Sequence, residues 1–140
     1  MSSFADSVAL DTSAAVPYLM LSHPAHLMTR QQVAGRTARL TTHSLAETYS
    51  VLTRLPGDAR VRATDAAALL GANFEDPVAP SSEVSGNLPA VLAPLGIAGG
   101  AVYDALVGLA ARAAGIVLVT RDARAISTYT VVGATIEIAG

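Results

Sequence analysis

Short apolar runs alternate with longer amphipathic stretches along the chain. Residues 7–10 (SVAL) form an apolar run that ends at Asp11-Thr12-Ser13, the pattern of a short strand buried on both faces. Residues 14–21 then start a helix with Thr12 or Ser13 as N-cap. Pro24 fits the first turn of a second helix that runs to about residue 34 and stops at Gly35. Residues 38–42 (ARLTT) predict a strand, and residues 44–55 predict a helix closed by Pro56-Gly57. Asp58 caps a further helix that reaches about Leu70 and stops at Gly71. Residues 76–82 hold a short strand, which Pro77 and Pro80 assign to an edge. The stretch 83–95 is ambiguous, because Pro89 and Pro94 limit any helix.

Residues 102–114 (VYDALVGLAARAA) read as a helix that is apolar almost all the way round, the pattern of a buried helix. Residues 116–120 (IVLVT) are the clearest strand. Residues 122–126 hold at most one helical turn, and residues 130–138 supply one or two final strands. Strands separated by helical stretches specify βαβ units, hence an α/β fold with a mostly parallel sheet and helices on both faces. Without an internal repeat, low-complexity tract or linker, residues 1–140 read as one domain.

Asp104 breaks the apolar pattern of its helix. A carboxylate there is costly unless compensated, and Arg112 lies about two turns away, too far to be its helical partner. A cation, a hydrogen-bond network or other acids sharing a metal must therefore come from elsewhere. Asp11 ends the first strand and Asp122 follows the best later one. In open α/β sheets, sites form beyond the carboxyl ends of strands where the strand order reverses, so neighbouring strands would bring Asp11 and Asp122 to one crevice. Asp104 reaches the same end if it lies near its helix N-terminus, where the dipole favours an acid. Each acid has a structural alternative: Asp11 as a helix cap, Asp122 in a turn, and Glu47 in a capping box with Ser44.

Composition narrows the chemistry. With 51% hydrophobic and 14% charged residues among 140, the chain has material for a sizeable core. A net charge of -2 argues against broad non-specific nucleic-acid binding while leaving local basic patches open. The absence of cysteine removes disulfides and thiolate metal sites. Carboxylates clustered without thiolates suit Mg²⁺ or Mn²⁺, since a divalent cation reverses the sign of their mutual repulsion. No apolar run has membrane-spanning length and no basic stretch opens the chain, so a cytoplasmic protein is expected.

LDTS at 10–13, Ser44-x-x-Glu47, YDAL at 103–106 and VTRD at 119–122 occur in that order over nearly the whole chain. The set resembles the acidic motifs of PIN-domain ribonucleases, and in a chain of this length it looks like the VapC-type toxins of type II toxin–antitoxin pairs. The resemblance implies a three-layer α/β/α PIN-like fold and a metal-binding catalytic quartet of Asp11, Glu47, Asp104 and Asp122. Thr12 and Thr120 match hydroxyl positions that support the acids or a water ligand. It further implies Mg²⁺- or Mn²⁺-dependent hydrolysis of RNA to 5′-phosphate and 3′-hydroxyl ends, a homodimer, and neutralisation by a VapB-type antitoxin. Arg121 and Arg124 flank Asp122 and are candidates for phosphate contact. Many relatives place an Asp or an aromatic shortly after the last acid; here Ala123 and Ala125 follow, and Tyr129 is the first aromatic.

His23 and His26, three apart, lack a third ligand nearby and read as structural. His43 reads as a loop residue, and residues 88–97 as a possible partner surface. A receiver domain needs a Lys that the chain lacks, Asp11 is not followed by the D-x-D of a haloacid-dehalogenase-type phosphatase, and no phosphate-binding glycine motif is present. The competing reading is a PIN-like module that binds RNA or protein without cutting.

Overall fold

The computed structural model describes residues 4–140; the first three residues of the expected unit lie outside them. Five strands, β1 (Ser7–Leu10), β2 (Thr37–Thr41), β3 (Glu75–Val78), β4 (Val117–Thr120) and β5 (Ile136–Ile138), form one sheet in the order β3-β2-β1-β4-β5. All four pairings are parallel. The order reverses at β1, whose neighbours are β2 and β4, with Ala9 beside Arg39 on one side and Leu118 on the other.

The helices are α1 (Thr12–Leu19), α2 (His26–Val33), α3 (Thr42–Thr53), α4 (Ala63–Asn73), α5 (Ser82–Gly86), α6 (Leu88–Leu92), α7 (Ala101–Ala114) and α8 (Ile126–Val131). Because successive strand residues point to opposite faces, Val8, Leu10, Leu40 and Val119 pack with Ala14, Leu19, Val33, Leu52 and Leu70 of α1–α4. Ala9 and Leu118 pack on the other face with Val107, Ala110, Ala111 and Tyr129 of α7 and α8. The result is a three-layer α/β/α fold. The strand buried on both faces, the edge strand near Pro77 and the clear strand before Arg121 stand where the pattern put them.

The boundaries differ in physically informative ways. Asp11, rather than Thr12 or Ser13, caps α1 by accepting from the Ala14 N–H. Helix α2 starts at His26, beyond Pro24. Helix α3 starts one residue after β2 ends, because Thr41 caps it through the Ser44 N–H at 3.0 Å. Asp58 lies in a 3-10 turn, Gly57–Ala59, and α4 begins only at Ala63 and runs through Gly71 to Asn73. The ambiguous stretch forms α5, α6 and a 3-10 turn, Ala93–Leu95. Leu92 is buried against Ala105, Leu109 and Val132, with Leu88, Val91 and Ile97 packed around them, while Leu95 stays exposed.

The largest correction lies near the C-terminus. Residues 126–131 are helical, and only Ile136–Ile138 pair as a strand. The β-branched run TVV favours a strand, but Ala125, Tyr129 and Val132 are buried at helical spacing and pack on α7 and the residues around it. Burial of that face overrides local propensity. No helix among the described residues is long and apolar enough to cross a membrane.

Candidate active site

Asp11, Glu47, Asp104 and Asp122 line one small cleft of about 50 Å³, together with Thr12, Ser13, His43, Ser44, Tyr103, Val107 and Tyr129. Four separate segments deliver the acids. Asp11 follows β1, Asp122 follows β4, Glu47 lies in α3, which starts at the end of β2, and Asp104 occupies the first turn of α7. The cleft therefore sits beyond the carboxyl ends of the central strands, at the reversal of strand order. A larger groove of about 610 Å³ lies between α3, α4 and β3, but its lining is mostly apolar.

Asp11 is buried and held by four donors. Its Oδ1 accepts from Ser13 Oγ at 2.6 Å and the Ala14 N–H at 3.1 Å. Its Oδ2 accepts from Thr120 Oγ1 at 2.5 Å and the Tyr129 hydroxyl at 2.8 Å. Four donors fill the roughly four lone-pair positions of a carboxylate, so its orientation is set from β4 and α8 as well as from its own helix. Burial, then the negative charge of Asp11, pushes the Tyr129 phenol far above its ordinary range, so it stays a donor.

Glu47 is not in a capping box. Thr41 caps α3, Ser44 sits inside the helix, and the Glu47 carboxylate is half-exposed, its Oε2 3.8 Å from His43 Nε2. Asp122 Oδ1 accepts from the Arg124 N–H at 3.0 Å and lies 3.4 Å from Arg124 Nε, and the Asp122 N–H donates to Thr120 Oγ1 at 3.0 Å. Its turn and its place in the cleft are compatible. Asp104 is only partly buried, because the N-terminal turn of α7 emerges from the core. It makes no hydrogen bond or ion pair among the described residues. Its carboxyl is raised above the usual range, first by burial and then by the charges of Asp122, Glu47 and Asp11, with Arg124 opposing.

Thr12 Oγ1 lies at the cleft, 3.5 Å from Thr48 Oγ1, while Thr120 is fully buried behind Asp11. Arg121 and Arg124 do not line the cleft. The Arg121 N–H donates to Ser13 Oγ at 2.8 Å, and the Arg124 side chain is 92% exposed at the Asp122 turn. His43 is helical rather than in a loop, and its ring stacks on Tyr103 at the cleft. His23 Nδ1 accepts from the Ala25 N–H and His26 Nδ1 pairs with the Pro17 carbonyl, so both rings are committed to backbone. Tyr129, Ser13, His43, Tyr103 and Val107 also line the cleft without having been expected there, although Ser13 and Tyr103 belong to the quoted motifs and Tyr129 is the first aromatic after the last acid.

The donor set suits a hard divalent cation: four carboxylates with hydroxyls nearby, no thiolate, and an acid raised by burial and by like charge. In the side-chain positions described, no three acids are already drawn together tightly enough to share an ion.

The sequence profile of the PIN domain matches residues 8–130. The chain is 51% identical over 132 residues to ribonuclease VapC27 of Mycobacterium tuberculosis, covering 94% of this chain and 96% of that protein. Ribonuclease VapC40 of the same species is 39% identical over 123 residues, covering 87% and 91%. Similar solved structures include VapBC2 of Rickettsia felis bound to a promoter DNA fragment, at TM-score 0.65 and 18% identity over 96% of this chain and 99% of that one. Another is VapC20 of M. tuberculosis, a sarcin–ricin-loop-cleaving toxin, at TM-score 0.63 and 20% identity over 86% and 93%. These two share the fold.

Proposed function

Because the chain belongs to the PIN-domain family, among the VapC ribonucleases, we propose that it is a divalent-metal-dependent endoribonuclease that acts as the toxin of a VapBC-type pair. The observation that carries this reading is the convergence of Asp11, Glu47, Asp104 and Asp122 on one cleft, with Asp104 left without a hydrogen-bond or ion-pair partner among the described residues. Those four carboxylates would hold Mg²⁺ or Mn²⁺. When bound, such an ion supplies Lewis-acid polarisation of the scissile phosphate and a lowered pKa for attacking water.

The chain's own residues set the stage for that chemistry. Thr120, Ser13 and Tyr129 fix Asp11, so one acid is held before substrate arrives. Asp104 makes no hydrogen bond among the described residues and Glu47 is half-exposed, and the repulsion that adds to burial in raising Asp104 favours cation uptake. Thr12 supplies a hydroxyl at the floor. Arg121 and Arg124, which flank Asp122 in the chain, would contact the phosphate backbone and position it without reading sequence. The reading includes a homodimer, the cytoplasm as the place of action and a VapB-type antitoxin as the neutralising partner, the last in line with the VapBC structures that share the fold.

The test is cleavage of structured RNA by highly purified protein with Mn²⁺ or Mg²⁺, beside an EDTA control and an identically purified Asp104→Asn protein. Discrete cuts that need both the metal and the carboxylate are expected. Equal cleavage by the Asp104→Asn protein removes the assignment.

A further inference from the structure

The rim of the acid cleft carries an aromatic pair that holding a metal does not require. Tyr103 immediately precedes Asp104 on α7, and His43 stands one turn before Glu47 on α3. Each ring therefore shares a backbone with one of the acids. The rings stack with centroids 5.4 Å apart and 16° between their planes. Both line the cleft, yet Tyr103 is 57% exposed. Beside its contact with His43, more than half of the Tyr103 side chain's surroundings are solvent. His43 Nε2 is shielded from solvent, has no hydrogen-bond partner among the described residues and lies 3.8 Å from Glu47 Oε2.

We propose that Tyr103, backed by His43, is a stacking platform for one unpaired RNA base next to the phosphate held at the acids. The proposal rests on the ribonuclease reading and adds to it the form of the substrate. Every nucleobase offers a π-face, so stacking is sequence-tolerant. Within an A-form duplex both faces are covered by neighbouring bases, and RNA is recognised through bases splayed from loops, bulges and ends. A ring stacked on a second ring loses little freedom when a base arrives, which favours binding. The platform thus selects unpaired RNA through geometry, close enough to Asp104 to register the chain at the cleft.

Single-stranded 12-nucleotide RNAs with 2-aminopurine at each position in turn, titrated with the full chain carrying Asp104→Asn in Mg²⁺, read stacking as fluorescence quenching whether or not the protein cuts. Quenching confined to one position, lost on adding Tyr103→Ala and retained with Tyr103→Phe, is expected. In the cutting protein, Tyr103→Ala raises KM on the order of ten- to a hundredfold, with kcat little changed and Tyr103→Phe restoring KM. Removing the base at that position costs the parent protein as much and costs the Tyr103→Ala protein nothing further. Quenching that survives Tyr103→Ala, or losses that add when ring and base are both removed, overturn the platform. A Tyr103→Ala protein that binds these RNAs normally but no longer binds its antitoxin assigns the ring to a protein contact and also overturns it. If the parent protein cuts no RNA, the ribonuclease reading fails and quenching alone decides the platform.

Discussion

Asp11 is the side chain on which local and functional demands meet. One oxygen caps α1 and the other takes donors from β4 and α8, so capping and a place in the cleft are two uses of one carboxylate. Tyr129→Phe tests this at the cost of one atom. Ser13, Thr120 and the Ala14 N–H remain, while a buried, charge-assisted bond is lost. Stability should fall by about 1.5–3 kcal/mol in urea unfolding, and RNA cleavage should fall about 10–100-fold, as when the hydrogen-bond partner of a metal ligand is removed. Unchanged cleavage with the expected loss of stability would make the tyrosine structural only. Glu47 illustrates the opposite outcome. Its apparent capping box dissolves because Thr41 starts the helix three residues before Ser44, which leaves the carboxylate free to face the cleft.

Among the elements, α7 packs closely on α8 and its C-cap residue Val132 at Gly108. A Cβ built there would stand 2.6 Å from Val132 Cγ2 and 3.4 Å from Tyr129 Cδ1. Glycine inside a helix costs about 1 kcal/mol relative to alanine, and here the close approach explains its presence. Gly108→Ala should therefore destabilise by about 1–3 kcal/mol through overpacking, despite the better propensity, and should lower cleavage by displacing Tyr129 from Asp11. Thermal unfolding and the RNA assay together check this; a stabilised, fully active variant would show that α8 can shift freely. Helix α7 itself ends at Gly115, whose φ of 68° lies in the left-handed region, where the stop was expected.

Across the whole molecule, the parallel sheet brings together acids that are distant in the chain, and their charge makes the metal-free cleft a liability. Mg²⁺ or Mn²⁺ at a hundred times its dissociation constant should stabilise the protein by about 2.7 kcal/mol, seen as an EDTA-reversible rise in Tm. Asp104→Asn should be no less stable than the parent without metal and should gain less from it. A second long-range link spans the sheet. Arg36 donates to both oxygens of Glu137 on β5, at 3.2 and 2.7 Å, and Gln32 Nε2 adds a bond of 2.8 Å. The Arg36 hydrogen bonds, then Gln32, hold the Glu137 carboxyl below its usual range against an opposing effect of burial. Its stabilisation is therefore present above the unfolded pKa of about 4.3 and is lost as pH falls through the lower folded value. Both side chains are about a third exposed, at 28% and 33%, so Glu137→Gln should cost no more than about 1 kcal/mol at pH 7 and should flatten the acid limb of the stability curve.

Apolar runs bounded by polar or glycine positions determined, without any coordinates, the βαβ order, the edge strand, the end of α7 and the placement of Asp11 and Asp122 at strand ends. Those features depend on local periodicity and on residue type, which the chain carries in its own order. Three things were decided by tertiary structure. Thr41 displaced Ser44 as a cap because β2 runs directly into α3. The 126–131 helix formed because its buried face found α7 and its surroundings, a contact between segments that β-branched propensity cannot register. Tyr129, His43 and Tyr103 reached the cleft because the reversal of strand order at β1 gathers the carboxyl ends of β1, β2 and β4, and proximity across so many residues is a property of the packed sheet alone.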